Sequence, residues 1–567
     1  MKNDSNKAVK WLLDIPAGKK LLVVLLMAVQ AVSGCTGVLF AMFMRNIVDS
    51  AAAHETDAFY KNTVYISFLI IAQIMLRAAL QSIGEYTKSE FENTFKMRLF
   101  NSILNRDLAG ISAVHSGEWL NRLTNDTVVV ANSMTDILPG LTGMAVRLVS
   151  AVIMMFLLDE RFLLIMLPVG AVMAVFAYSL RKVMKKMHKL VQEKDGRLRI
   201  FMQESIAGLM MTRSFAAEEL ISEKAIDHMK EHRAARMKRN RMSNIFNSGL
   251  GLAMNGMYIF GVCYCGFGIL HGTMTFGTLT AVTQLISQIQ APFAGITGYL
   301  PRFFAMTASA ERLMEAEKFT ADGKEALSCG DIKSIYDSMS SFGLDNASFA
   351  YYQPTKSADD LRKDPSAITD ISINIRKGEY IAFTGHSGCG KSTVLKLLMC
   401  VYSPDTGSRY IITDKRYELT SEYRRLFAYV PQGNLLMSGT IRDIVTFSDK
   451  DADNEKMNRA LNIACADTFV NELESKAETV LGERGMGLSE GQMQRLAIAR
   501  AVYSDSPVML LDEATNALDE KTERQVLSNL RRMTDKTVII ITHRPAAHEI
   551  CDRVIDFSEI AEKGNKS

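Results

Sequence analysis

Gly385-His386-Ser387-Gly388-Cys389-Gly390-Lys391-Ser392-Thr393 decides the fold of the second half of this chain. The spacing is G-x-x-x-x-G-K-[ST], a loop whose glycines let backbone N–H groups converge on phosphate oxygens. The flanks agree with it. Tyr380-Ile381-Ala382-Phe383 reads as a buried strand, and Thr393-Val394-Leu395-Lys396-Leu397-Leu398 as the start of a helix whose positive end faces the same anion. Gly385, Ser387, Gly388, Cys389, Gly390 and Thr393 would shape the cradle. Lys391 would supply a cation to the outer phosphates, and Ser392 a hydroxyl to magnesium. Further on, Val508-Met509-Leu510-Leu511-Asp512-Glu513 reads as a second buried strand ending in two carboxylates. Asp512 is expected to hold magnesium, and Glu513 to orient and deprotonate the attacking water. A helix cap is the plainer reading of such acids, but beside a phosphate loop the hydrolytic reading is the stronger. ATP and Mg2+ are the implied cofactors.

Outward from this loop the character of the chain changes. The sequence has 567 residues, 48% hydrophobic and 22% charged. Those averages mix two unlike halves. Six apolar stretches, at about 21–44, 62–84, 136–158, 161–181, 245–270 and 276–300, reach the roughly 20 residues a helix needs to cross a bilayer. The first is longer than the roughly 7–15 apolar residues of a signal peptide and reads as a retained span. Residues 181–243 carry sixteen Lys or Arg, whereas the short gaps between spans carry almost none. The long gaps, 85–135 and 182–244, therefore face the cytosol, with both termini and the ATP site on the same side. Both are proline-free, and residues such as Phe91, Phe95 and Leu99 recur at helical spacing. The spans should continue as helices into two cytosolic arms, the first turning at Gly117 and the second near Met211–Phe215. Domain bounds follow: membrane domain 1–318, linker 319–345, and nucleotide domain 346–567.

Several features exclude other classes. A net charge of +3 and no basic face interleaved with aromatics exclude a nucleic-acid partner. The eight cysteines form no metal-spaced cluster, and Cys263 and Cys265 read as small hydrophobes in a span. Arg77 and Arg147 lie within spans, where an arginine costs roughly 2.5–3.5 kcal/mol on insertion scales. Each should face a wet cavity, or else snorkel to the interface. Gln284, Gln288 and Gln290 could bond between helices.

Leu488-Ser489-Glu490-Gly491-Gln492, followed by Met493-Gln494-Arg495-Leu496, resembles the signature motif of ATP-binding cassette proteins. It departs from the usual form at Glu490, where a second glycine is common. Gln432 in Tyr429-Val430-Pro431-Gln432 is similar to the Q-loop glutamine, Asn516-Ala517-Leu518-Asp519 to the D-loop, and His543 to the switch histidine. Tyr351 is similar to the aromatic that stacks on adenine, with Tyr352 a rival. The stretch after it, including the polar run Gln353–Ser366, is longer than usual. Residues 117–127 look like a coupling segment, and Thr479–Gly485 like the segment that senses cross-docked arms. The whole chain looks like an exporter half-transporter: a six-helix membrane bundle with long cytosolic extensions, fused to an α/β nucleotide-hydrolysing domain.

The resemblance implies two chains, identical or different, pairing head to tail. Lys391 of one and Ser489, Gly491 and Gln492 of the other would enclose each ATP. His543 would contact the γ-phosphate, and Gln432 would join Ser392 and Asp512 at the metal. It also implies ATP-driven export of a small molecule, lipid or peptide, surrounded by membrane lipids, with a bacterial plasma membrane as the simplest location. An importer on the same scaffold, or a membrane ATPase acting as a regulator, is the alternative.

Overall fold

The computed structural model describes residues 2–558 apart from 15, 297, 324–325, 354–362, 365–366, 434–435, 448, 450 and 483–486. The polar run after Gln353 and residues 483–485 of the arm-sensing segment therefore fall largely outside the described residues. The chain divides into two compact units, residues 1–95 with 126–310, and residues 96–125 with 311–567.

Eleven helices are described up to Lys318: α1 (Lys2–Leu13), α2 (Ala17–Ala52), α3 (Thr56–Leu104), α4 (Leu108–Ala113), α5 (Ser116–Asn121), α6 (Thr127–Leu158), α7 (Glu160–Ala207), α8 (Leu209–Ser214), α9 (Glu218–Leu270), α10 (Phe276–Ile296) and α11 (Tyr299–Lys318). Helices α3, α7 and α9 run for 49, 48 and 53 residues, more than twice a membrane thickness. Among the described residues four helical segments are long and apolar enough to cross a membrane: Gly18–Ala52, Thr56–Leu104, Ser116–Leu158 and Glu218–Leu270. The first unit's core joins Val38, Ala151, Met155, Phe162, Leu285 and Ile286 across α2, α6, α7 and α10. Outward residues such as Leu21, Phe68 and Met75 are two-thirds or more exposed, as lipid-facing positions are. Cys265 is buried in that core and Cys263 is exposed.

Three boundaries differ from the sequence reading. The helix over the expected sixth span, 276–300, ends at Ile296 and is not among those four segments: Gly298 donates to the Gly295 carbonyl, and Pro301 in the first turn of α11 starts a helix rather than continuing one. Gly117 does not turn the first arm; it lies inside α5. The breaks come at residues 105–107, where Asp107 caps α4 through Gly110 N at 3.0 Å, and at Val114–His115. A helical glycine costs about 1 kcal/mol against alanine, too little to end a helix by itself. In the second arm, 209–214 is the short helix α8, and the turn is Phe215–Ala217 with Ala216 at φ +49°.

Among the described residues the second unit contains eleven strands: β1 (Ser341–Phe349), β2 (Ile368–Arg376), β3 (Tyr380–Thr384), β4 (Thr406–Ile412), β5 (Arg416–Glu418), β6 (Phe427–Val430), β7 (Gly439–Thr440), β8 (Val480–Leu481), β9 (Val508–Asp512), β10 (Thr537–Ile541) and β11 (Arg553–Asp556). Its further helices are α12 (Cys329–Ser338), α13 (Lys391–Leu398), α14 (Ile441–Val445), α15 (Asn454–Ile463), α16 (Asp467–Glu472), α17 (Glu490–Tyr503), α18 (Glu520–Arg531) and α19 (Pro545–Ile550). The expected linker 319–345 is thus partly structured, since it holds α12, capped by Ser328, and the start of β1 with buried Phe342 and Leu344.

A parallel sheet in the order β11-β3-β10-β9-β6 forms the centre of this unit, and β2-β1-β4-β5 is antiparallel. Side chains of the central strands alternate between two cores. Met509, Leu511, Val538 and Ile540 join Leu496–Val502 of α17 on one face. Val508, Leu510, Ile539 and Ile541 join Val394–Leu398 of α13 on the other, together with β1 and β2.

Candidate active site

The carboxyl ends of β3, β6, β9 and β10 gather the predicted residues, as expected for ligand sites of open parallel sheets. Strand β3 leads through Gly385, Gly388 and Gly390, at φ +127°, +85° and +95°, into α13. A Cβ on Gly390 would stand 2.4 Å from Ile368 Cγ2, so only glycine fits there. The Lys391 ammonium donates to the carbonyls of Gly385 at 2.7 Å and His386 at 2.9 Å, and lies 3.6 Å from Cys389 Sγ. It is held inside the loop that would cradle phosphate.

Asp512 ends β9 and is 2% exposed. Ser392 Oγ donates to its Oδ1 at 3.0 Å, and Tyr429 Oη to its Oδ2 at 3.0 Å. Burial pushes its carboxyl above the usual carboxylate range, against the pull of those two hydrogen bonds. Burial, and then the charge of Asp512, also push the Tyr429 phenol up. A hydroxyl and a buried carboxylate in contact are hard oxygen donors of the kind magnesium takes, so the residues fit that ion.

Glu513 follows with φ +51°, a left-handed backbone outside glycine. Its Oε2 accepts from Gln432 Nε2 and from Asn516 Nδ2, each at 2.8 Å. Gln432, expected at the metal, is here a donor to the expected base. His543 follows β10, whose register sets Ile541 beside Asp512 and Phe383, and its side chain is exposed. Tyr351 Oη is 3.0 Å from Thr393 Oγ1, and its ring meets Phe349 and Tyr402 edge-on. Tyr352 sits under the Lys363 ammonium and Tyr351 under that of Lys396, so each ring already meets a cation.

The signature stands elsewhere. Ser489 caps α17, accepting from Gln492 N at 3.3 Å, while the Gln492 side chain accepts from Ser489 N at 2.8 Å. Gln492 is therefore tied into a capping box. Gly491 packs on the D-loop, where a Cβ would stand 2.8 Å from the Ala517 carbonyl.

Comparison with known proteins agrees with this arrangement. The family model "ABC transporter transmembrane region" matches residues 23–293, and "ABC transporter" matches residues 368–516. The chain belongs to the ATP-binding cassette transporters. The transporter is 28% identical over 545 residues to ABC transporter B family member 1 of Dictyostelium discoideum, covering 94% of this chain but 58% of that protein. It is 26% identical over 539 residues to an ATP-dependent lipid A-core flippase of Haemophilus influenzae, covering 92% and 88%. It also shares its fold with a bacterial Atm1-family ABC exporter solved with ATP bound, at TM-score 0.74 and 21% identity, over 95% of this chain and 93% of that one.

The transporter's first unit contains a cavity of about 890 Å³, lined from α2, α3, α6, α10 and α11. Arg77 and Arg147 both line it, as does Gln288. Lys88, Arg302, Glu85 and Asp136 also face it. Asp136 pairs with Lys88 at 3.7 Å and with Arg302 at 3.5 Å. Among the described residues neither Arg77 nor Arg147 has an acidic partner within 4 Å. Gln290 instead donates to the Met254 carbonyl at 2.7 Å, a bond between helices.

Sequence reasoning missed three side chains that hold the site. Tyr429 reaches Asp512. Gln494 accepts from Ala517 N at 3.0 Å. Arg544 donates to the carbonyls of Asn516 and Leu518 and to Glu523, clamping the D-loop. The available signals were a tyrosine three residues before the Q-loop glutamine and an arginine directly after the switch histidine.

Proposed function

We propose that two copies of this chain use Mg2+ and ATP to export an amphipathic cargo bearing an acidic group. The membrane is a bacterial plasma membrane, with the nucleotide sites in the cytoplasm. The cavity carries the cargo assignment. Its two arginines without acidic partners sit at membrane-helix positions, where an unneutralised charge is costly. An anionic group on the cargo would relieve that cost, and about 890 Å³ suits an organic ligand of ordinary size. The lipid-flippase names of the relatives agree with an amphipath.

Each ATP is enclosed by Gly385–Thr393 of one copy and Ser489 and Gly491 of the other, with Tyr351 on the adenine. Ser392, Gln432 and Asp512 would hold the metal, which would offset the negative charge of the ATP phosphates. Glu513 takes the proton of the attacking water, and His543 fixes the γ-phosphate. ATP stabilises the closed pair because it touches both copies, and hydrolysis removes that bridge.

Inside-out vesicles test the direction and the cargo class together. With ATP outside, an anionic fluorescent amphipath should accumulate faster than its zwitterionic analogue. Equal rates for the two would discard the acidic group. ATP hydrolysis without movement of either would favour the regulator, and loss of preloaded probe the importer.

A further inference from the structure

We infer that Tyr429 is a positioning residue that fixes the Asp512 carboxylate for magnesium. The inference rests on the proposed metal role of Asp512. Strands β6 and β9 are parallel neighbours with Tyr429 opposite Leu510. Residues two apart share a face, so Asp512 lies on the same face one step further along. The phenol spans that diagonal and donates to Oδ2 at 3.0 Å, while Ser392 donates to Oδ1 at 3.0 Å. Both oxygens of a carboxylate that is 2% exposed are thereby oriented from opposite sides. The Ser392 side of this frame belongs to the phosphate loop and the Tyr429 side to the Q-loop strand.

The same strand reaches the second carboxylate as well. Gln432, three residues beyond Tyr429, donates to Glu513 Oε2 at 2.8 Å. One short segment thus fixes the expected metal ligand and the expected base. A carboxylate with one oxygen anchored can turn about its χ2, and a metal needs the lone pairs of that oxygen in a fixed direction. The Tyr429 ring packs against the core that holds α13. Phenylalanine therefore keeps the packing and removes only the hydroxyl.

The test uses the full-length chain in nanodiscs with Mn2+ as the probe. In the presence of ATP, Mn2+ binding is titrated by electron paramagnetic resonance, and ATP binding is measured separately in EDTA. Tyr429→Phe should raise the Mn2+ half-saturation about tenfold, the scale of one hydrogen bond to a charged group, and leave metal-free ATP affinity and the melting temperature unchanged. An unshifted Mn2+ half-saturation overturns the inference. So does an equal loss of metal-free ATP binding, which would mark a merely structural tyrosine. Asp512→Asn serves as the control. If it too binds Mn2+ like the parent, the metal assignment of Asp512 fails and takes this inference with it; if it alone loses Mn2+, only the role of Tyr429 fails.

Discussion

Glu513 combines a strained backbone with a tethered side chain. A φ of +51° at a non-glycine residue costs on the order of 1–3 kcal/mol and persists where surrounding structure fixes it. The Glu513 N–H donates to the Ile541 carbonyl at 3.0 Å, which anchors that turn beside β10. Glu513→Gln keeps the shape and removes the base. Turnover should fall at least about a hundredfold, the usual worth of a positioned base, while ATP binding persists; parental turnover by the pure variant would refute the assignment. Gly390→Ala should act differently. Its Cβ would meet Ile368 in a left-handed backbone, so the loop itself must shift. ATP binding, read by fluorescent nucleotide titration, should be lost along with activity. Arg147 belongs to the other unit and, on the proposed reading, to cargo. Arg147→Ala should reduce cargo-stimulated ATPase several-fold with little change in the basal rate, and an equal effect on both would mark a structural arginine.

Elements explain what could and could not be read from the chain. The phosphate loop was legible because its chemistry is contiguous: glycines, lysine and serine act within nine residues, between a strand and a helix. Apolar length, itself the requirement, made the long membrane-length helices legible, and four helical segments meet it among the described residues. The arm tip was not. Arg122 is 1% exposed and bonds Glu315 at 2.7 Å and the Arg312 carbonyl at 3.1 Å, and its guanidinium lies 4.6 Å from the Trp119 ring centroid. Those partners are nearly two hundred residues away or on the next helical turn, so no local pattern marks them. The chain passes Arg122–Asp126 as a π-helix, a form common at functional sites and rare elsewhere. Tyr429 and Arg544 were hidden for a like reason, since one acts across strands and the other reaches a separate loop and helix. Arg122→Ala should destabilise the second unit by about 3–5 kcal/mol, because Glu315 would keep a largely buried charge. Denaturant unfolding of the solubilised chain would measure that loss, and Arg122→Lys should recover only part of it, since lysine lacks the planar fork.

At the scale of the whole molecule, the two faces of the central sheet bear on the proposal that two copies are needed. Helix α13, which carries Lys391, packs on the face of Leu510 and Ile539, and α17, which starts beside Ser489, packs on the face of Met509 and Ile540. The helices of phosphate loop and signature therefore belong to opposite faces of one sheet, which supports the proposal that each ATP is closed by two chains. On the proposed reading a second copy, related by a two-fold axis, would supply the missing face to each site. Mixed dimers test this without any assumption about cargo. Lys391→Ala disables a phosphate loop, and Ser489→Arg places a bulky charge on the signature face at the loss of an N-cap worth about 1 kcal/mol. Each variant alone forms dimers with no intact site. In a mixed dimer that closes in trans, both lesions fall on one site and the other site is whole, so ATPase should reappear on mixing co-expressed, separately tagged chains. Closure in cis puts one lesion in every site, and tandem-purified mixed dimers would then stay as inactive as either parent.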